Sequence, residues 1–218
     1  MDGAHDLGGM HGFGAVDRSQ KQNFAEPWEQ KVFGLTLACG FQGKWNLDQS
    51  RFAREQMDPA HYLGSSYYQH WLHGLESLLL DKELVSAEEL ASGKADPEKC
   101  YIPVLKDRVA GILQSGAPTA LAEDAAQKYQ IGDIVIISNA HPKSHTRMPR
   151  YIRGRQGEVV SHHGTHIFPD THAATGAKIP AHLYTVKFSG GALWGDAAAE
   201  PNTAVCVDVF EPYIEQPE

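Results

Sequence analysis

Two groups of side chains in this sequence have types and spacings suited to chemistry. The first is cationic. Residues 141–155, HPKSHTRMPRYIRGR, hold Lys143, Arg147, Arg150, Arg153 and Arg155 with no acid among them. Like charges this close repel unless something anionic sits between them. Nucleic acid, an acidic surface of another subunit, or a buried anion would each fit. Arg147 is the best candidate for a fixed guanidinium, because Pro149 restrains the backbone just beyond it. A second arginine, Arg51, shares a helical stripe with Leu47 and Arg54, which puts charge on a face that should be buried. A solvated head on a packed stem is the plainer account of both.

The second group is aromatic. Residues 58–82 read DPAHYLGSSYYQHWLHGLESLLLDK. Ser66 with Gln69 forms a capping box, so a helix should start at Tyr67. On it Tyr68, Leu72, Leu75 and Leu79 recur at the helical period and should bury. The neighbouring stripe, Tyr67, Trp71, Gly74 and Leu78, sets two amphipathic aromatics over a glycine, where another backbone or a ligand has room to approach. Such spacing also serves a plain core.

Other chemistry is poorly supported. Of the twelve histidines, His162, His163 and His166, with Asp170 and His172 nearby, offer ligands, but they fall in a stretch read as loop and match no zinc spacing. No serine or cysteine has a nucleophile-elbow context, and no phosphate-binding glycine loop follows a strand. The sequence holds no self-sufficient active site.

The elements that must position these groups divide into two grammars. Residues 1–25 carry five glycines in the first fourteen positions and too few aliphatics for a core, so composition favours a tail over an extended arm. Pro27 opens a helix with Trp28, Val32, Leu35 and Cys39 on one face, stopped by Gly40. Asn46 with Gln49 caps a second, running to about Met57. Asp58-Pro59 starts a short third, Ser86 with Glu89 caps another, and a further helix fits residues 103–113. After a linker at 119–128, strands are expected at 134–137, 158–160, 183–188 and 204–210, as a small β-barrel. The fold is therefore α+β: a glycine-rich stretch over 1–25, a helical domain over 26–118, and an SH3-like barrel over 129–218.

The 218-residue chain can bury a sizeable core, and it has no apolar run of membrane-spanning length and no secretory signal, so the cytoplasm is expected and no membrane. Cys39, Cys100 and Cys206, odd in number and far apart, are expected as free thiols. A net charge of −8 argues against nonspecific nucleic-acid binding by the whole molecule.

The MDG-x-HDLGG-x-x-GFG opening, Met57-Asp58-Pro59-Ala60-His61-Tyr62, the Tyr67-Tyr68 pair, HTRMPRYIRGR from His145, Pro169-Asp170, LYTVKF from Leu183, Leu193-Trp194-Gly195 and Val207-Asp208-Val209-Phe210 together resemble the β subunit of nitrile hydratase. The resemblance spans nearly the whole chain. It implies a heterodimer with an α subunit, often paired again as α2β2, that adds water to a small nitrile to give an amide. Cobalt(III) or iron(III) would be held by the α subunit through cysteines oxidised to sulfinic and sulfenic acids, and this chain would bind no metal. Arg51 and Arg147 would fall on the arginines that hydrogen-bond those oxidised ligands. Tyr67 would be the active-site tyrosine, with Phe33, Leu47, Tyr68 and Trp71 lining the pocket. Glu55, His70 and His145 would act from behind through hydrogen bonds. The glycine-rich opening would then be an arm wrapping α rather than a tail. Trp71 is closer to the cobalt-type enzymes, and Ser50 stands where many relatives carry a bulky aromatic, a departure that bears on pocket shape. The competing reading is a nucleic-acid-binding or assembly module using the basic barrel loop. Thiocyanate hydrolysis by a related assembly is a third.

Overall fold

The computed structural model describes every residue except 17, 20, 21, 100, 123–125, 198, 201 and 216–218. The chain forms two compact units: Gly3–His5 with Met10–Ala117, and Met1–Asp2 with Asp6–Gly9 and Pro118–Glu218.

The first unit is helical: α1 (Pro27–Gly40), α2 (Leu47–Glu55), α3 (Pro59–Gly64), α4 (Tyr67–Asp81), α5 (Ala87–Ser92) and α6 (Lys106–Ser115). Local chemistry sets most of its boundaries. Asn46 Oδ1 accepts the Gln49 N–H at 2.9 Å while Gln49 Oε1 accepts the Asn46 N–H at 3.0 Å. The same reciprocal pairs close the starts of α4 and α5, and Asp58 accepts from Ala60 and His61 at the start of α3. Helix α6 begins at Lys106 and not at Pro103, with Leu105 ahead of it making no side-chain cap.

The buried face of α4 differs from both stripes read in the sequence. Gly74, Leu75 and Leu78 are buried, while Tyr68, Leu72 and Leu79 are only half-buried. The cause is α2: a Cβ at Gly74 would lie 2.6 Å from Arg54 Cγ, so α2 closes onto α4 through that glycine. The close approach at Gly74 is thus made by a side chain, not by a backbone or ligand. On α1 only Val32 of the expected stripe buries, and Trp28 and Leu35 stay exposed. The core of this unit is Trp45, Ala53, Leu75 and Leu78, with Cys39, Leu79 and Leu84 against it.

The second unit is an antiparallel sheet of β1 (Ala120–Leu121), β2 (Ile134–Ile137), β3 (Gln156–Ile167), β4 (Pro180–Ser189), β5 (Ala204–Phe210) and β6 (Ile214–Glu215), with short helices α7 (Pro169–Thr175) and α8 (Gly190–Trp194) between strands. The order is β5-β4-β3-β2-β6, with β1 paired to β3. Register shifts between Val159 and Ser161, and between His162 and Thr165, curl the sheet into a half-barrel. Strand β1 lies in the stretch expected as a linker. Strand β3 extends through His162, His163 and His166, which the sequence placed in a loop; pairing of His162 with Tyr184 and Thr165 with His182 holds it extended despite its polar composition. Val135, Ile137, Ile152, Val159, Tyr184, Val186 and Phe188 are fully enclosed at its centre.

Met1–Asp2 and Asp6–Gly9 join this sheet unit. Gly8 lies on the ring of Tyr151, where a Cβ would stand 2.7 Å from the ring carbons, so only glycine lets the backbone lie flat there. These residues are therefore a docked arm, and the composition-based tail is wrong for them. Composition reports the lack of a core of their own, not whether they borrow one. Among the described residues, no helix is long and apolar enough to cross a membrane.

Candidate functional site

In the helical unit, α2 and α4 carry the candidate side chains. Arg51 Nη1 donates to Asp48 Oδ1 at 2.9 Å; the arginine side chain is 37% exposed and the aspartate 6%. One arm of the guanidinium is thereby fixed on a nearly buried carboxylate while the group still meets solvent. Arg54, one turn on, turns inward. Its Cζ lies 4.3 Å from the Trp71 ring centroid and its Nη2 donates to Ser50 Oγ at 3.2 Å. Its buried Nε has no hydrogen-bond partner among the described residues, and burial pulls its pKa down.

The expected aromatics gather into one cluster. Tyr67, Tyr68 and Trp71 lie 5.2–5.9 Å apart between ring centroids, and Phe33 on α1 reaches Trp71 at 5.9 Å. Phe24, from the segment before α1, adds contacts to Tyr68 at 5.3 Å and Phe33 at 5.8 Å. Sequence analysis missed Phe24, because a lone aromatic in a glycine-rich arm has no periodicity to mark it. Tyr67 is 64% exposed while its ring packs on Tyr68 and Trp71. Burial raises the pKa of Tyr68. Leu47 is exposed on the first turn of α2 and takes no part in the ring cluster. Glu55 is buried on α2. His70 Nε2 donates to the Tyr62 carbonyl at 2.8 Å and its ring stacks on Tyr62 at 4.1 Å.

In the sheet unit the basic segment runs from the end of β2 to the start of β3. His145 is fully buried in it and Arg147 is exposed. Two of the five cations meet acids of the chain itself, Arg153 through Asp2 and Arg150 through Asp6. Asp2 binds Arg153 Nη1 and His141 Nδ1, the latter at 2.7 Å. Asp6 Oδ2 accepts the Arg150 backbone N–H at 2.8 Å, and its carbonyl accepts from Arg150 Nη2 at 3.3 Å. The hydrogen bond from His141, with the Arg153 guanidinium beside it, holds the Asp2 carboxyl at about 2. Arg153, 1% exposed, also donates to the Met148 carbonyl at 3.1 Å and so belongs to the scaffold. The signal was present but unread: Asp2 and Asp6 are the acids of the opening motif, 144 residues from Arg150 in the case of Asp6.

The histidines considered for metal are bonded to neighbours on the sheet: His162 to His182 at 3.0 Å, His163 to Thr185 at 2.7 Å, and His166 to Thr119 at 3.1 Å. Asp170 and His172 lie on α7. Among the described residues, no three His, Cys, Asp or Glu side chains stand together as a metal ligand set. Cys39 and Cys206 are free thiols, and Cys100 lies outside the described residues.

Comparison with known proteins decides the family. Residues 1–127 match the nitrile hydratase β subunit N-terminal model, and residues 118–216 match the C-terminal model. This chain belongs to the nitrile hydratase β-subunit family. The low-molecular-weight cobalt-containing nitrile hydratase subunit beta of Rhodococcus rhodochrous is 39% identical over 98% of this chain and 99% of its own length. The nitrile hydratase subunit beta of Pseudomonas putida is 39% identical over 99% of both chains. The cobalt-containing nitrile hydratase subunit beta of Pseudonocardia thermophila is 39% identical over 99% of this chain and 96% of that one. Membership of this family across both halves of the chain gives the nucleic-acid alternative no support.

Proposed function

We propose that this chain works with an α subunit as a nitrile hydratase, a hydro-lyase, and that it supplies the pocket wall and the fixed positive charge. The observation that carries this is Tyr67, 64% exposed on an otherwise packed aromatic cluster in a chain of this family. A large amphipathic ring left half in solvent is arranged for something that docks over it.

The residues here do not fit a metal-holding role, since no ligand set gathers among the described residues. We assign cobalt(III) or iron(III) to the α subunit, with cobalt favoured by Trp71 and by relatives named as cobalt-containing. There the metal supplies Lewis-acid polarisation of the nitrile. This chain's part is different in kind. Arg51, one nitrogen anchored by Asp48, and Arg147 present planar guanidinium forks to the oxygens of the partner's oxidised cysteines. Tyr67 orients the substrate through its hydroxyl. Phe33, Tyr68 and Trp71 exclude water from that side, and Leu47 borders the mouth. Glu55, His70 and His145 steady these groups from behind.

The same reading assigns the arm over 1–25, the helical domain over 26–118, the linker over 119–128 and an SH3-like barrel over 129–218. It also assigns an α2β2 assembly and a cytoplasmic location.

The test is to co-express this chain with its α partner and assay nitrile hydration and metal content in the purified complex. Amide should form only in the complex. Arg51→Lys and Arg147→Lys should each lower turnover at least about tenfold, since lysine lacks the fork. Turnover by this chain alone, or near-normal activity in both lysine variants, would overturn the assignment.

A further inference from the structure

The segment that carries Arg147 is gripped by one residue at both ends. Tyr213 lies in a single 3-10 turn, Glu211–Tyr213, between β5 and β6. Its carbonyl accepts the Ser138 N–H at 2.8 Å where the segment leaves β2. Its hydroxyl accepts the Arg147 backbone N–H at 3.1 Å nine residues later. The same hydroxyl donates to Asp170 Oδ1 on the first turn of α7. The Thr146 side chain hydrogen-bonds to this pair as well.

The bond directions are fixed by the chemistry of a phenol, which has one hydrogen to give. Tyr213 is 6% exposed, and burial together with the neighbouring carboxylate pushes its pKa far up, so it stays protonated. Its hydrogen goes to Asp170, which leaves a lone pair aimed at the Arg147 amide. Burial raises the Asp170 carboxyl against the opposing bond from Tyr213. The backbone of Arg147 is therefore tied to the core of the sheet unit while its side chain stays exposed. Neither Tyr213 nor Asp170 has a role in the account above.

We propose that Tyr213 and Asp170 are positioning residues that fix where the Arg147 guanidinium is presented. The proposal rests on the reading of Arg147 as a contact to the partner's oxidised cysteines. A guanidinium on a nine-residue segment would sample many positions; one whose own amide is pinned samples few, and small misplacement is costly in turnover.

The experiment uses the complex with the α subunit. Tyr213→Phe keeps the ring against Phe168 and Phe210 and removes every hydroxyl hydrogen bond, the one to the Arg147 amide included. It should lower kcat about tenfold with little change in KM, shift the metal-site absorption spectrum, and leave metal content unchanged. Asp170→Asn keeps an acceptor oxygen and should retain most activity, whereas Asp170→Ala should not. The double variant Tyr213→Phe/Arg147→Lys should be no slower than Arg147→Lys alone, because the two act as a unit. In the unmodified complex the Arg147 amide should exchange with solvent more slowly than that of Lys143, a measurement that needs no variant to fold. Wild-type kcat in Tyr213→Phe, additive losses in the double variant, or an unprotected Arg147 amide would overturn the positioning role. If Arg147→Lys is fully active, the reading of Arg147 itself is what fails.

Discussion

The two units solve the burial of apolar surface in opposite ways. The sheet unit encloses Val135, Ile137, Ile152, Val159, Tyr184, Val186 and Phe188 completely, and it holds Arg153 on Asp2 and Arg150 on Asp6. The helical unit leaves Trp28, Phe33, Leu35, Leu47, Leu63 and Tyr67 between 36% and 64% exposed. It also holds an open apolar cavity of about 570 Å³ lined by Leu37, Cys39, Leu79, Leu84, Tyr101 and Val104 among others. An exposed apolar surface of this extent is characteristic of a chain built to be covered. The sheet unit has the fuller core, with Ile131, Ile134, Ile179 and Trp194 as its exposed large apolar side chains; the helical unit leaves more apolar surface uncovered.

That contrast is open to direct attack. Phe188→Ala should produce the largest loss, about 3–5 kcal/mol by urea unfolding, because an enclosed core cannot collapse into the cavity; a loss below about 1 kcal/mol would mean that the sheet core is looser than it looks. Gly74→Ala should cost about 1–3 kcal/mol, since Arg54 must leave its place under the new methyl, and Trp71 fluorescence should shift as the cation departs from its ring. An unshifted spectrum would break the link between the two helices. Tyr67→Phe should change stability by less than about 0.5 kcal/mol while lowering nitrile turnover, because the residue is largely exposed. The smallest effect concerns Asp2. Its folded pKa of about 2 lies below the ordinary 3.8, so its contribution to arm docking is complete above 3.8 and is lost as pH falls toward 2. Protection of the arm from limited proteolysis should decline in that window; a decline at higher pH would point to another group.

Legibility in the sequence followed range. Capping pairs such as Asn46 with Gln49 and Ser86 with Glu89 work within one turn, so the helix starts they set were readable. The β-branched run Ile134–Ile137 and the strand Ala204–Phe210 were readable for the same reason, through local pattern. Ala120–Leu121 was not, because two residues become a strand only when Thr165 and His166 arrive to pair with them. The histidine-rich half of β3 failed the alternation test yet is held by its neighbour strand. At the candidate site, the aromatic spacing of α4 was visible, but the inward turn of Arg54 depended on a glycine on another helix. The grip of Tyr213 on Arg147 joins residues 66 apart, and no local rule reaches so far.

The docked arm also sets an order of events. Asp6 and Arg150 are 144 residues apart, so at about 5–20 residues per second on the ribosome the arm waits roughly 7–30 s for its partner to be synthesised. In that interval the helices of the first half, which need only near neighbours for their caps, have time to form. The clasp at the beginning of the chain thus can close only after the helices of the first half have been made, and before the strands that follow Arg150.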